Sequence, residues 1–224
     1  MTITSIFDFD FIIFDCDGTL VHSEPAAARG ICRALAEFGV TDCTPDGIIE
    51  QFTGSGNRDI AAHFQNAGFK IDIEKFIAIA DGYEIEEVKK GIGKAPRIDG
   101  LLQSLQNRNM PICVASNAAA ASSWAKLQNC ALDRFFTRDQ IYAGRAPNRP
   151  KPHPDVFIEA AGKWDKSKIL IIEDSPTGVA AARGANMTVW GYTGLAMNRA
   201  QSGDAMQKSG AARIIGDYAE LLAA

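Results

Sequence analysis

The sequence has no basic surplus. Lysine and arginine number 23 against 27 aspartates and glutamates, a formal charge of −4, so nothing in it is built to track a phosphate backbone and nucleic acid is not expected as a partner. Long apolar runs are also missing. The first apolar stretch is interrupted at Asp8, Asp10 and Asp15, with no lysine or arginine ahead of it, so neither a membrane span nor a secretory leader is expected. Cysteine is scarce and unpatterned: Cys16, Cys32, Cys43, Cys113 and Cys130 make an odd number with no C-x-x-C pair, which predicts buried free thiols in a reducing cytoplasm. His22, His63 and His153 lack the spacing of a metal site. Gly54-Ser-Gly56-Asn57-Arg58 has neither a strand before it nor a G-K-[ST] ending, so it supports neither a P-loop nor a dinucleotide fingerprint.

What is present is enough apolar material for a soluble globular protein: 46% of the 224 residues are hydrophobic and 22% charged. That length predicts one large domain or one domain carrying an insertion. Short apolar runs at Phe11 to Phe14, Ile112 to Ala115, Ile169 to Ile172, Thr188 to Trp190 and Arg213 to Ile215 read as strands. Helical spacing lies between them, marked by Leu101, Leu102 and Leu105, by Trp124 and Leu127, by Val156, Phe157 and Ala160, and by Val179 to Arg183. Strands alternating with helices predict an α/β fold, a Rossmann-like parallel sheet covered on both faces, with ligands at the carboxyl ends of the strands. The alternation stops at residues 22 to 94, where helical patterns at Glu24 to Phe38, Asp59 to Asn66 and Ile73 to Lys89 come with no convincing strand. The expected organisation is a catalytic core over 1–21 and 95–224 with an inserted helical cap over 22–94, hinged near Gly91-Ile-Gly-Lys-Ala-Pro96.

Four places combine a strand end or a stiff turn with reactive side chains. In Phe11-Ile-Ile-Phe-Asp-Cys-Asp-Gly-Thr19 an apolar strand runs into Asp15 and Asp17, two acids that repel unless a cation sits between them. Phe7-Asp-Phe-Asp10 is the internal control, a D-x-D without a strand before it or Gly-Thr after it, and reads as structural. Ile169-Leu-Ile-Ile-Glu-Asp174 is a second strand ending in acids, Glu173 and Asp174. If the two strands are neighbours, their carboxylates suit the all-oxygen shell that Mg²⁺ takes at about 2.0–2.1 Å. Ser175-Pro176 then starts a helix. Ser116 and Asn117 close a third strand and could hold an anion, although Ser116 alone reads as an ordinary N-cap. Lys151, between Pro150 and Pro152, is a candidate charge clamp held on an extended backbone.

With these features in chain order, the sequence resembles the haloacid dehalogenase-like hydrolase superfamily along essentially its whole length: Asp15-Cys-Asp-Gly-Thr19 stands as its first motif, Ser116 as the second, Lys151 as the third and Glu173-Asp174 as the fourth. The helical insertion and Glu173-Asp-Ser-Pro-Thr-Gly178 look like the branch of sugar-phosphate phosphatases and β-phosphoglucomutase. The resemblance implies that Asp15 attacks phosphorus to form an aspartyl-phosphate and that Asp17 serves as acid and then base. It also implies that Mg²⁺ is held by Asp15, Asp17 through its carbonyl, and Asp174, with Glu173 behind them. Gly18, Ser116, Asn117, Lys151, Arg58 and Arg149 are the expected substrate-binding residues. The expected activity is Mg²⁺-dependent phosphatase action on a small phosphorylated metabolite such as a sugar phosphate, in a monomer or small homo-oligomer. A phosphosugar mutase is the alternative, weakened by Ala27 where the mutase carries a histidine; a phospho-acceptor signalling domain is disfavoured by Asp17 and the cap. Two further departures are His22, where an acid is common, and a long Asp139 to Lys151 connection, whose Arg145 and Arg149 are expected near the clamp lysine.

Overall fold

The computed structural model describes residues 5–52, 55–144 and 149–222. In chain order these hold β1 (Phe11–Phe14), β2 (Val21–His22), α1 (Glu24–Glu37), α2 (Pro45–Phe52), α3 (Asn57–Asn66), α4 (Ile73–Lys89) and β3 (Gly93–Lys94). There follow α5 (Ile98–Asn107), β4 (Ile112–Ser116), α6 (Ala120–Asn129), β5 (Ile141–Ala143), α7 (Asp155–Ala161) and β6 (Ile169–Glu173). The chain closes with α8 (Pro176–Gly184), β7 (Thr188–Tyr192), α9 (Arg199–Lys208), β8 (Arg213–Ile215) and α10 (Ala219–Leu222). It divides into two compact units, Met1–His22 with Gly93–Ala224, and Ser23–Ile92.

The first unit is built on a six-stranded sheet in the order β5-β4-β1-β6-β7-β8, parallel throughout. This is the α/β Rossmann-like fold that the alternation predicts. Every residue of β1, β4 and β6 is buried, as expected of strands covered on both faces, which read as continuous apolar runs rather than alternating ones. On one face Phe11 and Ile13 pack with Val156, Phe157, Val179 and Ala182 from α7 and α8. β1 is central, between β4 and β6, with Phe14 level with Val114 on one side and with Ile172 on the other. The carboxyl ends of these three strands therefore lie together at one edge, where they carry Asp15 just after β1, Ser116 as the last residue of β4, and Glu173 as the last residue of β6.

The second unit is helical. Ala28, Ile31, Ala34 and Leu35 of α1 pack with Ile48 of α2, Ile60 and Ala61 of α3, and Phe76 and Ala80 of α4. Glycine at position 30 is required by close packing, because a Cβ there would lie 2.8 Å from the Glu84 backbone nitrogen on α4. α2, whose pattern the sequence shows only weakly, completes this core. The thiol expectation fails here. Cys32 and Cys43 form a disulfide with their Cα atoms 5.4 Å apart, because the turn at Gly39 (φ +85°) brings the chain after α1 back beside it. Cys16, Cys113 and Cys130 are the buried free thiols.

The stretch around residues 22 to 94 is also not free of strands. β2 and β3 pair antiparallel, Val21 with Lys94 and His22 with Gly93, so two-residue strands mark where the chain leaves the first unit and returns. No described helix is long and apolar enough to cross a membrane.

Candidate active site

Asp15 leaves β1 with its amide donating to the Ile172 carbonyl at 2.9 Å, which ties it to β6 beside Glu173. Lys151 reaches the same point from the turn after residue 149. Its Nζ donates to Asp15 Oδ1 at 2.6 Å, to Glu173 Oε1 at 2.7 Å and to the Ala115 carbonyl at 2.8 Å. All three ammonium hydrogens are thus used, and Lys151 and Asp15 are each only 6% exposed. Burial alone would lower this ammonium, but Asp15 and Glu173 outweigh it and hold Lys151 above its ordinary value.

The turn that delivers Lys151 is not extended, as the flanking prolines suggest. The Lys151–Pro152 peptide is cis, and the His153 amide closes onto the Pro150 carbonyl at 3.0 Å. Asn117 locks it: the Lys151 amide donates to Asn117 Oδ1 at 2.8 Å. That side chain therefore positions the lysine.

Asp15 itself is raised to about 7, first by burial, then by the nearby Glu173 and Asp17 carboxylates, with Lys151 pulling the other way. Lys151 on Asp15 and Glu173, with one further lysine on Asp17, does not offset the negative charge gathered here. Glu173, expected at a metal, has both oxygens engaged by the protein: Oε1 takes Lys151, and Oε2 accepts from the Ser175 amide and hydroxyl, each at 3.0 Å. It supports the lysine. Ser175 also caps α8, accepting from the Gly178 amide at 3.0 Å, with Pro176 in the first turn, as the sequence signals.

Gly18 closes the turn after Asp17. Its amide donates to the Val21 carbonyl at 2.9 Å and so is not directed at a ligand. Its φ is +73°, and a Cβ would lie 1.9 Å from Asp174 Oδ2. Glycine is needed both for the left-handed backbone and for the approach of the Asp174 carboxylate. The loop is braced from behind by Tyr218, whose hydroxyl donates to the Thr19 carbonyl at 3.0 Å, with its ring stacked on Tyr192 at 4.3 Å. Nothing in the local sequence links Tyr218 to this loop.

Ser116 is not a helix cap, since α6 begins at Ala120 after Ala119. Its hydroxyl oxygen accepts from the Ala118 amide at 3.1 Å. β5, which the sequence shows poorly, fixes it from the side: Ser116 lies level with Ala143, and the Gly144 amide donates to the Ser116 carbonyl at 2.6 Å.

Asp17 is held by a residue that sequence reasoning missed. Lys126 of α6 donates to Asp17 Oδ1 at 2.6 Å.

Arg149 turns its fork onto Asp155, at 2.9 and 2.8 Å; the i, i+6 acid was an available signal. Arg58 lies in the second unit and pairs with Glu74 at 2.5 Å. Arg145 lies outside the described residues. Asp8 of the control D-x-D accepts from the Ser5 amide at 3.1 Å in a short capping box, a structural use. Among the described residues no three His, Cys, Asp or Glu side chains group as a metal cage.

The sequence model of the haloacid dehalogenase-like hydrolases matches residues 12–192. The chain belongs to that family. Similar proteins include the phosphoglycolate phosphatase of Aquifex aeolicus (strain VF5), 26% identical over 82% of this chain and 86% of its own. The chloroplastic SUPPRESSOR OF QUENCHING 1 protein of Arabidopsis thaliana is 32% identical over 79% of this chain, which spans only 17% of that protein. Among solved structures, a family hydrolase from Deinococcus radiodurans R1 with bound phosphate and sodium is 28% identical, with TM-score 0.75, covering 96% of this chain and 93% of that one. The chain is a hydrolase of the phosphoric monoester class.

Proposed function

We propose that this protein is a Mg²⁺-dependent phosphatase of a small phosphorylated metabolite, working through an aspartyl-phosphate on Asp15. The observation that carries this reading is the buried triad in which Lys151 bridges Asp15 and Glu173 at the end of the central strand. A carboxylate can approach a phosphate dianion only where positive charge offsets both. Lys151 occupies one oxygen of Asp15 and leaves the other to attack phosphorus, breaking the bond to the leaving oxygen. Asp17, next on the same loop and part exposed, is the group to protonate that oxygen, then to take a proton from the water that attacks phosphorus and frees Asp15. Ser116 supplies a hydroxyl for a phosphate oxygen.

The residues present fit a divalent cation. The deficit of positive charge around Asp15 and the close approach of the Asp174 carboxylate to Gly18 support that fit. Asp15, Asp174 and the Asp17 carbonyl would hold it, with water completing the shell, as suits Mg²⁺. Bound there, it supplies Lewis-acid neutralisation of the phosphoryl oxygens. The named activity of the Aquifex relative and the phosphate held by the Deinococcus hydrolase support the reading.

The test is a phosphate-release screen over sugar phosphates and phosphorylated sugar acids, with Mg²⁺ and with chelator. Release that needs Mg²⁺ and weakens in Asp174→Ala is the expected result. Release unchanged in chelator, or isomeric sugar phosphate in place of free phosphate, overturns it.

A further inference from the structure

Only two lysines are buried among the described residues, Lys126 and Lys151, and each holds one aspartate of the Asp15-Cys-Asp17 pair. Lys151 comes from the turn after β5. Lys126 comes from α6, where Ser123, Lys126 and Leu127 form the buried stripe. At helical spacing these positions face the interior, so residue 126 sits where a packing role calls for leucine or methionine. Burying an ammonium there has a cost that packing alone does not return. The Lys126 side chain is 3% exposed while that of Asp17 is 33% exposed, and the bond between them is 2.6 Å long. A charge-assisted bond of this length fixes the acid's side chain at one oxygen, and the remaining exposure keeps the carboxyl group accessible to a reactant.

We propose that Lys126 is a positioning residue, holding the Asp17 carboxyl group in the orientation from which it exchanges a proton with the leaving oxygen and then with water. This rests on the reading of Asp17 as acid and base given above. Lys126 acts through Asp17 rather than on the substrate. It acts by removing the rotational freedom of a side chain that must meet a substrate oxygen at hydrogen-bond distance, and a displacement of about 1 Å from such a pose costs up to about a hundredfold in rate.

The test compares kcat/KM for an alkyl phosphate, whose leaving oxygen needs a proton, with that for p-nitrophenyl phosphate, whose leaving group departs without one. Lys126→Met is expected to lower the alkyl value by roughly ten- to a hundredfold and to leave the aryl value within about threefold, with an unchanged thermal melt. Lys126→Arg, which keeps a donor for Asp17, recovers most of the loss. In an Asp17→Asn background Lys126→Met adds nothing further, because the group it positions is gone. Should the methionine variant not fold, Lys126→Gln gives the same comparison. Equal losses on both substrates, or losses that add to those of Asp17→Asn, overturn the proposal. If Asp17→Asn itself spares the alkyl substrate, the acid assignment of Asp17 fails; if Asp17→Asn is selective and neither Lys126→Met nor Lys126→Gln is, only the role of Lys126 fails.

Discussion

Two buried carboxylates, one in each unit, have opposite fates. Glu87, on α4 of the helical unit, is 3% exposed and is met by three cations, Arg29 at 2.9 Å, Arg33 at 3.0 Å and Lys90 at 2.5 Å. Hydrogen bonds from Lys90 and then Arg29 outweigh burial and hold it at about 2. Asp15, on the sheet unit, shares one lysine with Glu173, lies near Asp17, and is raised to about 7. The difference is the ratio of charges. Where cations outnumber the carboxylate it clamps two helices together; where Asp15, Asp17 and Glu173 have only Lys151 and Lys126 between them the cluster is set up to receive more positive charge. Surplus negative charge at a strand end marks the site better than burial does.

The sharpest break in this comparison is charge removal at each acid. Asp15→Asn is expected to abolish phosphate release, by at least about a thousandfold, with the far-ultraviolet circular dichroism unchanged, while Glu87→Gln keeps full turnover. Comparable turnover in the two variants would erase the distinction.

Second is Lys151→Met, which leaves Asp15 and Glu173 buried without their cation. A broken buried pair costs about 3–5 kcal/mol, read as the shift in denaturation midpoint. Because Asp15 can take up a proton instead, the loss should be larger at pH 8 than at pH 5. A pH-independent loss would show that Asp15 carries little of it.

Third, Mg²⁺ should raise the melting temperature more at pH 8 than at pH 5. The folded value of Asp15 lies above the unfolded one, so its contribution to stability is complete below about 4 and is lost as pH rises through about 7. A cation offsets that loss only where the carboxylate is charged. An equal shift at both pH values would place the cation elsewhere.

A smaller effect belongs to Glu87. Its folded value is lowered, so its stabilisation is complete above about 4.5 and is lost as pH falls through about 2. Acid titration of Glu87→Gln should lack that part of the pH dependence, seen as a flatter stability curve below pH 4.5 than in the parent chain. The smallest effect is expected for Arg149→Ala. Its pair with Asp155 is solvent-exposed, and such pairs contribute little, so KM for singly and doubly anionic substrates should each stay within about twofold. A selective rise for the doubly anionic one would return Arg149 to the substrate.

The sequence by itself determined the sheet and the acids at its edge. Four apolar runs long enough to be buried on both faces became β1, β4, β6 and β7, and helix α4 follows its apolar spacing from Ile73 to Lys89, because these elements draw their periodicity from local burial. A short edge strand such as β5 and the two-residue strands β2 and β3 carry no such period and are defined by their partners. The placing of Asp15, Ser116 and Glu173 at the carboxyl ends of β1, β4 and β6 was legible because strand ends in a parallel sheet converge, and Lys151 stood out by its two flanking prolines. What only the tertiary structure decided is which groups satisfy one another. Asn117 is committed to the Lys151 turn and the Gly18 amide to Val21; Glu173 is engaged on both oxygens, and Arg149 is taken by Asp155. Cys32 met Cys43 through a turn, and a lysine that reads as one more helix charge reached Asp17 across 109 residues of chain. Hydrogen bonds and ion pairs are formed over a few ångströms of space, and spacing along the chain fixes such distances only within a single element.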